Sequence, residues 1–133
     1  MLYLNKSQKE KLLEHAKREA PNEACGILAG KNHRVEKVYE MINTDNSAKT
    51  FFMEPKQQLK AMKEIRNLGL EMIGIYHSHL ETEAYPSAHD VELAYYPEAS
   101  YVIVSIIRDR GKPSIRSFKI VEGKITEEEV RIE

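Results

Sequence analysis

Over residues 7–20 the apolar side chains Leu12, Leu13, Ala16 and Ala20 recur on one face of a helical wheel and the opposite face is charged, which predicts an amphipathic first helix ending at Pro21. Ser7-x-x-Glu10 has capping-box spacing and marks its expected start. CGILAGK and RVEKVYEMIN then form two extended runs around a turn at residues 30–33, with Val35, Val38 and Met41 as core positions, the pattern of a hairpin. Residues 43–50 are a polar loop. FFMEP leads into a second helix that opens at Pro55, carries the stripe Leu59, Met62, Ile65 and Leu68, and ends at Gly69. MIGIYHSH is the apolar run of a buried strand, broken by the polar segment LETEAYP. A short third helix opens at Ser87-Ala-His-Asp, continues through DVELAYY and closes at Pro97. YVIVSII, SIRSFKIV and KITEEEVRI read as three strands joined by turns at Arg110-Gly-Lys-Pro and Glu122-Gly-Lys. Helices interleaved with strands predict an α/β fold, a mixed β-sheet packed between helices.

Composition narrows what such a fold can do. A chain of 133 residues with 41% apolar side chains fits a single domain over residues 1–133. Twenty Lys and Arg against twenty-one Asp and Glu leave a net charge of -1, so neither nucleic acid nor an anionic membrane is an expected partner. The lone Cys25 excludes an internal disulfide framework and a Cys-based zinc cluster, and it fits a reducing compartment. MLYLNKSQKEK lacks the apolar core of a signal peptide and no apolar run approaches about 20 residues, so a cytoplasmic location is expected.

The end of the third extended run, MIGIYHSH, carries the chemistry. His77 and His79 flank one residue, and since strand side chains alternate faces, both imidazoles project to the same side, about 7 Å apart along the chain. Two nitrogens can converge on one ion. Asp90, eleven residues on, can fold back as a third ligand and leave one position for water, and a set of two nitrogens and one carboxylate suits zinc. Each part alone has a blander explanation: HxH as a strand feature, Ser87-x-x-Asp90 as a helix cap, Glu23 as a solvated carboxylate beside a turn.

Their joint order is more specific: Glu23 upstream, then His77-Ser78-His79, seven residues, and Ser87-x-x-Asp90. This pattern resembles the JAMM metalloproteases, also called MPN-plus domains, and the resemblance runs over nearly the whole chain. PNEACGILAG is similar to that family's Glu-bearing first strand, GIYHSH to its ligand strand, and PSAHDVELAYYPEASYVIVSI to the helix and strand that follow. The resemblance implies a JAMM/MPN fold, akin to the cytidine-deaminase-like architecture, with His77, His79 and Asp90 binding one zinc, Glu23 as general acid/base and Ser87 holding the developing oxyanion. Physical chemistry agrees with these roles: zinc lowers the pKa of bound water to about 7, but a carboxylate must still take its proton. A well-placed donor to the oxyanion is worth roughly 3 to 4 kcal/mol in proteases. Leu80 departs from the family, whose active members commonly carry Pro there, so the loop LETEAYP is expected to be less rigid.

Without insertions, the chain is most similar to prokaryotic members acting on ubiquitin-like sulfur-carrier proteins that end in Gly-Gly, releasing cysteine or a short peptide. An extended tail would suit a groove beside the metal or an exposed strand edge, with Glu81 and Glu83 placing negative charge along its path. The alternatives are a metal-free MPN scaffold, disfavoured by the intact ligand set, and a peptidoglycan-type JAMM hydrolase, usually joined to a second peptidase domain. A zinc nucleoside deaminase needs a PCxxC pair that one cysteine cannot provide. Cys25 reads as a small core hydrophobe, His89 as an exposed helix residue, His15 and His33 as surface residues, and Tyr95, Tyr96 and Tyr101 as packing groups.

Overall fold

The computed structural model describes residues 1–109 and 112–133. It opens with a strand that the pattern had not indicated, β1 (Leu2–Leu4), and continues into α1 (Lys6–Glu19). The helix is capped two residues before the expected Ser7. Asn5 is the cap: its Oδ1 accepts from Gln8 N at 2.7 Å, and Gln8 Oε1 accepts from Asn5 N at 2.9 Å. Leu12, His15 and Ala16 form the buried face, and the Ala20 expected there lies exposed beyond the last turn.

Strands β2 (Cys25–Lys31) and β3 (Arg34–Met41) make the anticipated hairpin. Its two turn residues, Asn32 and His33, both hold positive φ (53° and 64°), the backbone twist that two-residue hairpins need. Helix α2 (Pro55–Asn67) buries Ala61 and Ile65, whereas Leu59 and Leu68 of the expected stripe are 58% and 53% exposed. Residues spaced only by threes drift round a 3.6-residue helix, and the face that meets the sheet is defined by the i, i+4 pair instead.

Strand β4 (Glu71–His79) is followed by α3 (Ala88–Glu92), shorter than the helix expected as far as Pro97, and then by β5 (Ser100–Asp109) and β6 (Lys112–Val121). The turn expected at Arg110-Gly-Lys-Pro begins on residues 110 and 111, outside the described residues. KITEEEVRI divides at Glu129 into β7 (Lys124–Glu128) and β8 (Val130–Ile132).

The eight strands of the described residues join one mixed sheet in the order β7-β6-β5-β4-β2-β3-β1-β8. β7 and β8 lie at opposite ends of that order, yet a single residue connects them, so the sheet must curl until its two edges meet. Alternation along the strands divides the core between two faces. Ile27 and Ala29 pack with Ala61 and Ile65 of α2 and with Ile103 and Phe118, while Leu28 packs with Leu12 and Ala16 of α1 and with Tyr76 and Val102. Among the described residues, no helix is long and apolar enough to cross a membrane.

β4 sits at the centre of the sheet, antiparallel to β2 and parallel to β5. Its parallel link to β5 runs through residues 80–99 over one end of the sheet, which returns α3 to the carboxyl end of β4.

Candidate metal centre

The pleat of β4 sends His77 and His79 to one side, and the returning connection brings Asp90 over them. The Nε2 atoms of the two histidines lie 3.1 Å apart, and Asp90 Oδ2 lies 3.2 Å from His77 Nε2 and 3.1 Å from His79 Nε2. The three expected ligands therefore meet in one nearly equilateral, buried triangle. Asp90 reaches it through the capping box of α3, where Asp90 N donates to Ser87 Oγ at 3.1 Å and Ser87 N donates to Asp90 Oδ2 at 2.9 Å. Cap and candidate ligand are thus one device rather than competing explanations.

The tautomer of His79 follows from its other nitrogen. Nδ1 lies 3.0 Å from the Glu83 carbonyl, which can only accept, so Nδ1 carries the proton and Nε2 presents a lone pair to the triangle. Thr82 Oγ1 is 3.1 Å from the same Nδ1, and Ser105 Oγ of β5 donates to the Thr82 carbonyl at 2.7 Å, tying this loop to the sheet. The Phe51 ring stacks on His77, with centroids 4.7 Å apart and planes at 23°.

Burial pushes the Asp90 carboxyl up, but the His77 and His79 rings beside it and the Ser87 N–H outweigh it and hold the group well below the usual carboxylate range. Asp90 thus remains anionic. Three convergent donors, one of them a fixed carboxylate, form an electrostatic trap for a cation. Tetrahedral zinc with bonds of 2.0–2.1 Å would separate its donors by about 3.3–3.4 Å, close to the observed triangle. The residues fit such an ion.

Glu23 lies in the segment between α1 and β2, with its backbone held on both sides. Its N–H donates to the Ser47 carbonyl at 2.8 Å, and its carbonyl accepts from Asn43 Nδ2 at 3.1 Å. The next residue is anchored to β4: Ala24 N donates to Ser78 Oγ at 2.8 Å, and Ser78 N donates to the Ala24 carbonyl at 3.0 Å. Glu23 is 3% exposed, and its Oε1 has no hydrogen-bond partner among the described residues. Burial raises its pKa to about 8, against a lowering influence from His79. A groove of about 230 Å³ runs beside it, lined by Glu23, Lys49, His79, Leu80, Glu81 and Ser87 among others. Glu23, His79 and Ser87 therefore line one groove, and His77 and Asp90 adjoin it through the triangle they form with His79.

Several other expectations change. Glu81 lines the groove, but Glu83 does not, and its part is played by its backbone carbonyl. The groove also carries Lys49, so its charge is mixed. β4 is paired on both sides and offers no free edge for strand addition beside the centre. His15 is buried rather than at the surface and lies 2.8 Å from the Tyr76 hydroxyl through Nδ1, whereas His33 is exposed as expected. His89 is exposed and lies outside the ligand triangle. Cys25 is buried in the core. Tyr101 is buried and its hydroxyl accepts from Tyr96 N at 2.9 Å, while Tyr95 is 71% exposed. Asn43, Phe51, Ser78 and Thr82 had no distinguishing signal: a polar residue after a strand reads as a turn, and an aromatic before a helix reads as core.

The chain as a whole is similar to known proteins. Residues 5–121 match the family described as prokaryotic homologs of the JAB domain. The chain is 42% identical over 123 residues to the CysO-cysteine peptidase of Mycobacterium tuberculosis, covering 91% of this chain and 84% of that one. It is 34% identical over 125 residues to the probable TtuB-protein conjugate cleaving protease of Thermus thermophilus, covering 93% and 79%. The solution structure of protein DSY2949 from Desulfitobacterium hafniense superposes with a TM-score of 0.89 at 42% identity, covering 100% of this chain and 93% of that one. The chain belongs to the prokaryotic JAB, or JAMM, family of metal-binding proteases, hydrolases of peptide and isopeptide bonds.

Proposed function

We propose that residues 1–133 act as one catalytic domain that hydrolyses the bond after the C-terminal Gly-Gly of a ubiquitin-like or sulfur-carrier protein, releasing cysteine, a short peptide or a conjugated partner. Similarity to a CysO-cysteine peptidase and to a TtuB-protein conjugate cleaving protease supports this substrate class. The observation that carries the chemistry is the triangle of His77, His79 and Asp90 donors beside a buried, unpartnered Glu23 carboxyl.

On this reading His77 Nε2, His79 Nε2 and Asp90 Oδ2 hold one zinc ion. Zinc in such a set supplies Lewis acidity, polarising a carbonyl and bringing the pKa of water down to about 7. Glu23 acts as general acid/base: its carboxylate takes a proton from the attacking water and returns it to the departing nitrogen. A group that burial has already moved into the neutral range is suited to both transfers. The Ser87 hydroxyl is exposed and accepts from Asp90 N, which leaves its own hydrogen free to donate to the oxyanion of the tetrahedral intermediate. His79 is held in its productive tautomer by the Glu83 carbonyl.

The test is Glu23→Gln, which keeps shape and burial but cannot accept a proton. It is expected to retain about one equivalent of zinc and to lose about a hundredfold or more in kcat on a Gly-Gly conjugate. Activity at the wild-type level would assign the proton transfer to another group. Less than about a tenth of an equivalent of zinc in reconstituted wild-type protein would favour a non-catalytic scaffold.

A further inference from the structure

The loop joining β3 to α2 is organised by one side chain. Asn43 is buried, and its amide uses all four of its hydrogen-bonding positions. Oδ1 accepts from Asp45 N at 3.0 Å and from Phe52 N at 3.1 Å, and Nδ2 donates to the Thr50 carbonyl at 3.0 Å and to the Glu23 carbonyl at 3.1 Å. Three of these bonds shape the loop itself, as a turn-forming Asn would. The fourth leaves the loop and takes hold of Glu23.

The loop that Asn43 shapes touches the centre twice more. Its Ser47 carbonyl accepts the Glu23 N–H at 2.8 Å, so both polar groups of the Glu23 backbone are held by this one segment. Its Phe51, between Thr50 and Phe52, whose backbones Asn43 binds, stacks on the His77 ring. Glu23 itself belongs to neither a helix nor a strand, and no hydrogen bond holds its Oε1. With no hydrogen bond at Oε1, the aim of the carboxyl depends on how its backbone is held. We infer that Asn43 is a positioning residue for the reaction, one that fixes Glu23 and the His77 ring relative to each other without touching substrate. The inference rests on the acid/base role proposed for Glu23.

Asn43→Asp tests it, because the carboxylate keeps both Oδ acceptor bonds inside the loop and loses the donors to Thr50 and Glu23. Amide hydrogen exchange at Glu23 is expected to accelerate at least about tenfold, while Ile27 in β2 and Ile75 in β4 stay within about twofold of wild type. On a Gly-Gly conjugate kcat should fall about ten- to a hundredfold with KM within about threefold and zinc content unchanged. Introduced into Glu23→Gln, the same change should cost nothing further, since Asn43 acts through Glu23; a merely structural residue would lower activity in both backgrounds. Unchanged exchange at Glu23, or undiminished kcat in folded, zinc-loaded Asn43→Asp, overturns the positioning role even if Glu23→Gln is inactive. Failure of Asn43→Asp to fold also overturns it, because the residue is then required by the fold as a whole. Full activity of Glu23→Gln removes the acid/base reading beneath it.

Discussion

Glu23 and Cys25 lie two residues apart and burial raises both, but only one remains usable near neutral pH. The carboxyl moves to about 8, where it can exchange a proton with water, whereas the thiol moves to about 12 and stays protonated. That difference removes Cys25 as a nucleophile. His15 shows burial acting on a base. Its ring is enclosed between α1 and the sheet, with Nε2 3.7 Å from Glu19 and Nδ1 against the Tyr76 hydroxyl. Burial lowers its pKa, while Glu40 and Glu19 pull upward and Arg18 and Lys11 downward. Above pH 6.5 the ring is neutral in folded and unfolded chains alike; below it the unfolded chain binds a proton that the folded chain refuses, so stability falls as pH drops. Between pH 7.5 and 5.5, wild type is therefore expected to lose up to about 1 kcal/mol more of its unfolding free energy than His15→Gln does. Urea midpoints for the two proteins at those pH values measure this, and parallel losses would show that His15 is not the group responsible.

Most elements were legible because their signals are local. The hairpin turn, Pro55 at the start of α2 and the apolar run of β4 all stand where the pattern put them. The misses are of two kinds. Asn5-x-x-Gln8 and Ser7-x-x-Glu10 fit the same capping template, and the pairing of β1 with β3 and β8 is what selects the earlier one. β1 and β8 are three residues each, too short for alternation to register, and they exist only because distant strands supply their hydrogen bonds. At the centre, the convergence of His77, His79 and Asp90 was legible because their spacing is fixed by pleat and cap, whereas Asn43 and Phe51 reach Glu23 and His77 from a loop far away in sequence. Gly26 is another such non-local requirement. A Cβ there would lie 2.3 Å from Tyr76 Cε1 and 2.4 Å from the Tyr39 carbonyl, one a fully buried ring and the other strand backbone. Neither can yield cheaply, so Gly26→Ala is expected to cost about 2–3 kcal/mol by chemical denaturation. A loss below about 0.5 kcal/mol would mean that β2 and β4 can slide apart to admit the methyl group.

At the scale of the molecule, the curled sheet leaves a substrate little choice of path. Its two edges meet around Glu129, β4 is paired on both flanks, and the open approach to Glu23 and His79 is the groove over the carboxyl end of β4. A chain lying there cannot be held by the ladder of β4. It must be held by the groove walls, where Leu80 supplies apolar contact and Lys49 and Glu81 opposite charges. Close to the donors, such a path would admit bare peptide backbone more readily than a succession of side chains. Under the proposed function, this is why the tail ends in Gly-Gly: glycine alone lets backbone approach the donors without a Cβ in the way. The expected outcome is that changing the penultimate Gly of a sulfur-carrier conjugate to Ala lowers kcat/KM by about tenfold or more, ~1.4 kcal/mol of transition-state stabilisation. Mass spectrometry of the two conjugates at equal concentration measures it, alongside an unfolded casein-like chain as a substrate without the ubiquitin-like body. Equal turnover of both conjugates would remove the steric argument for glycine. Rapid cleavage of the unfolded chain would show that the groove reads the tail alone and that the folded body contributes nothing to selection.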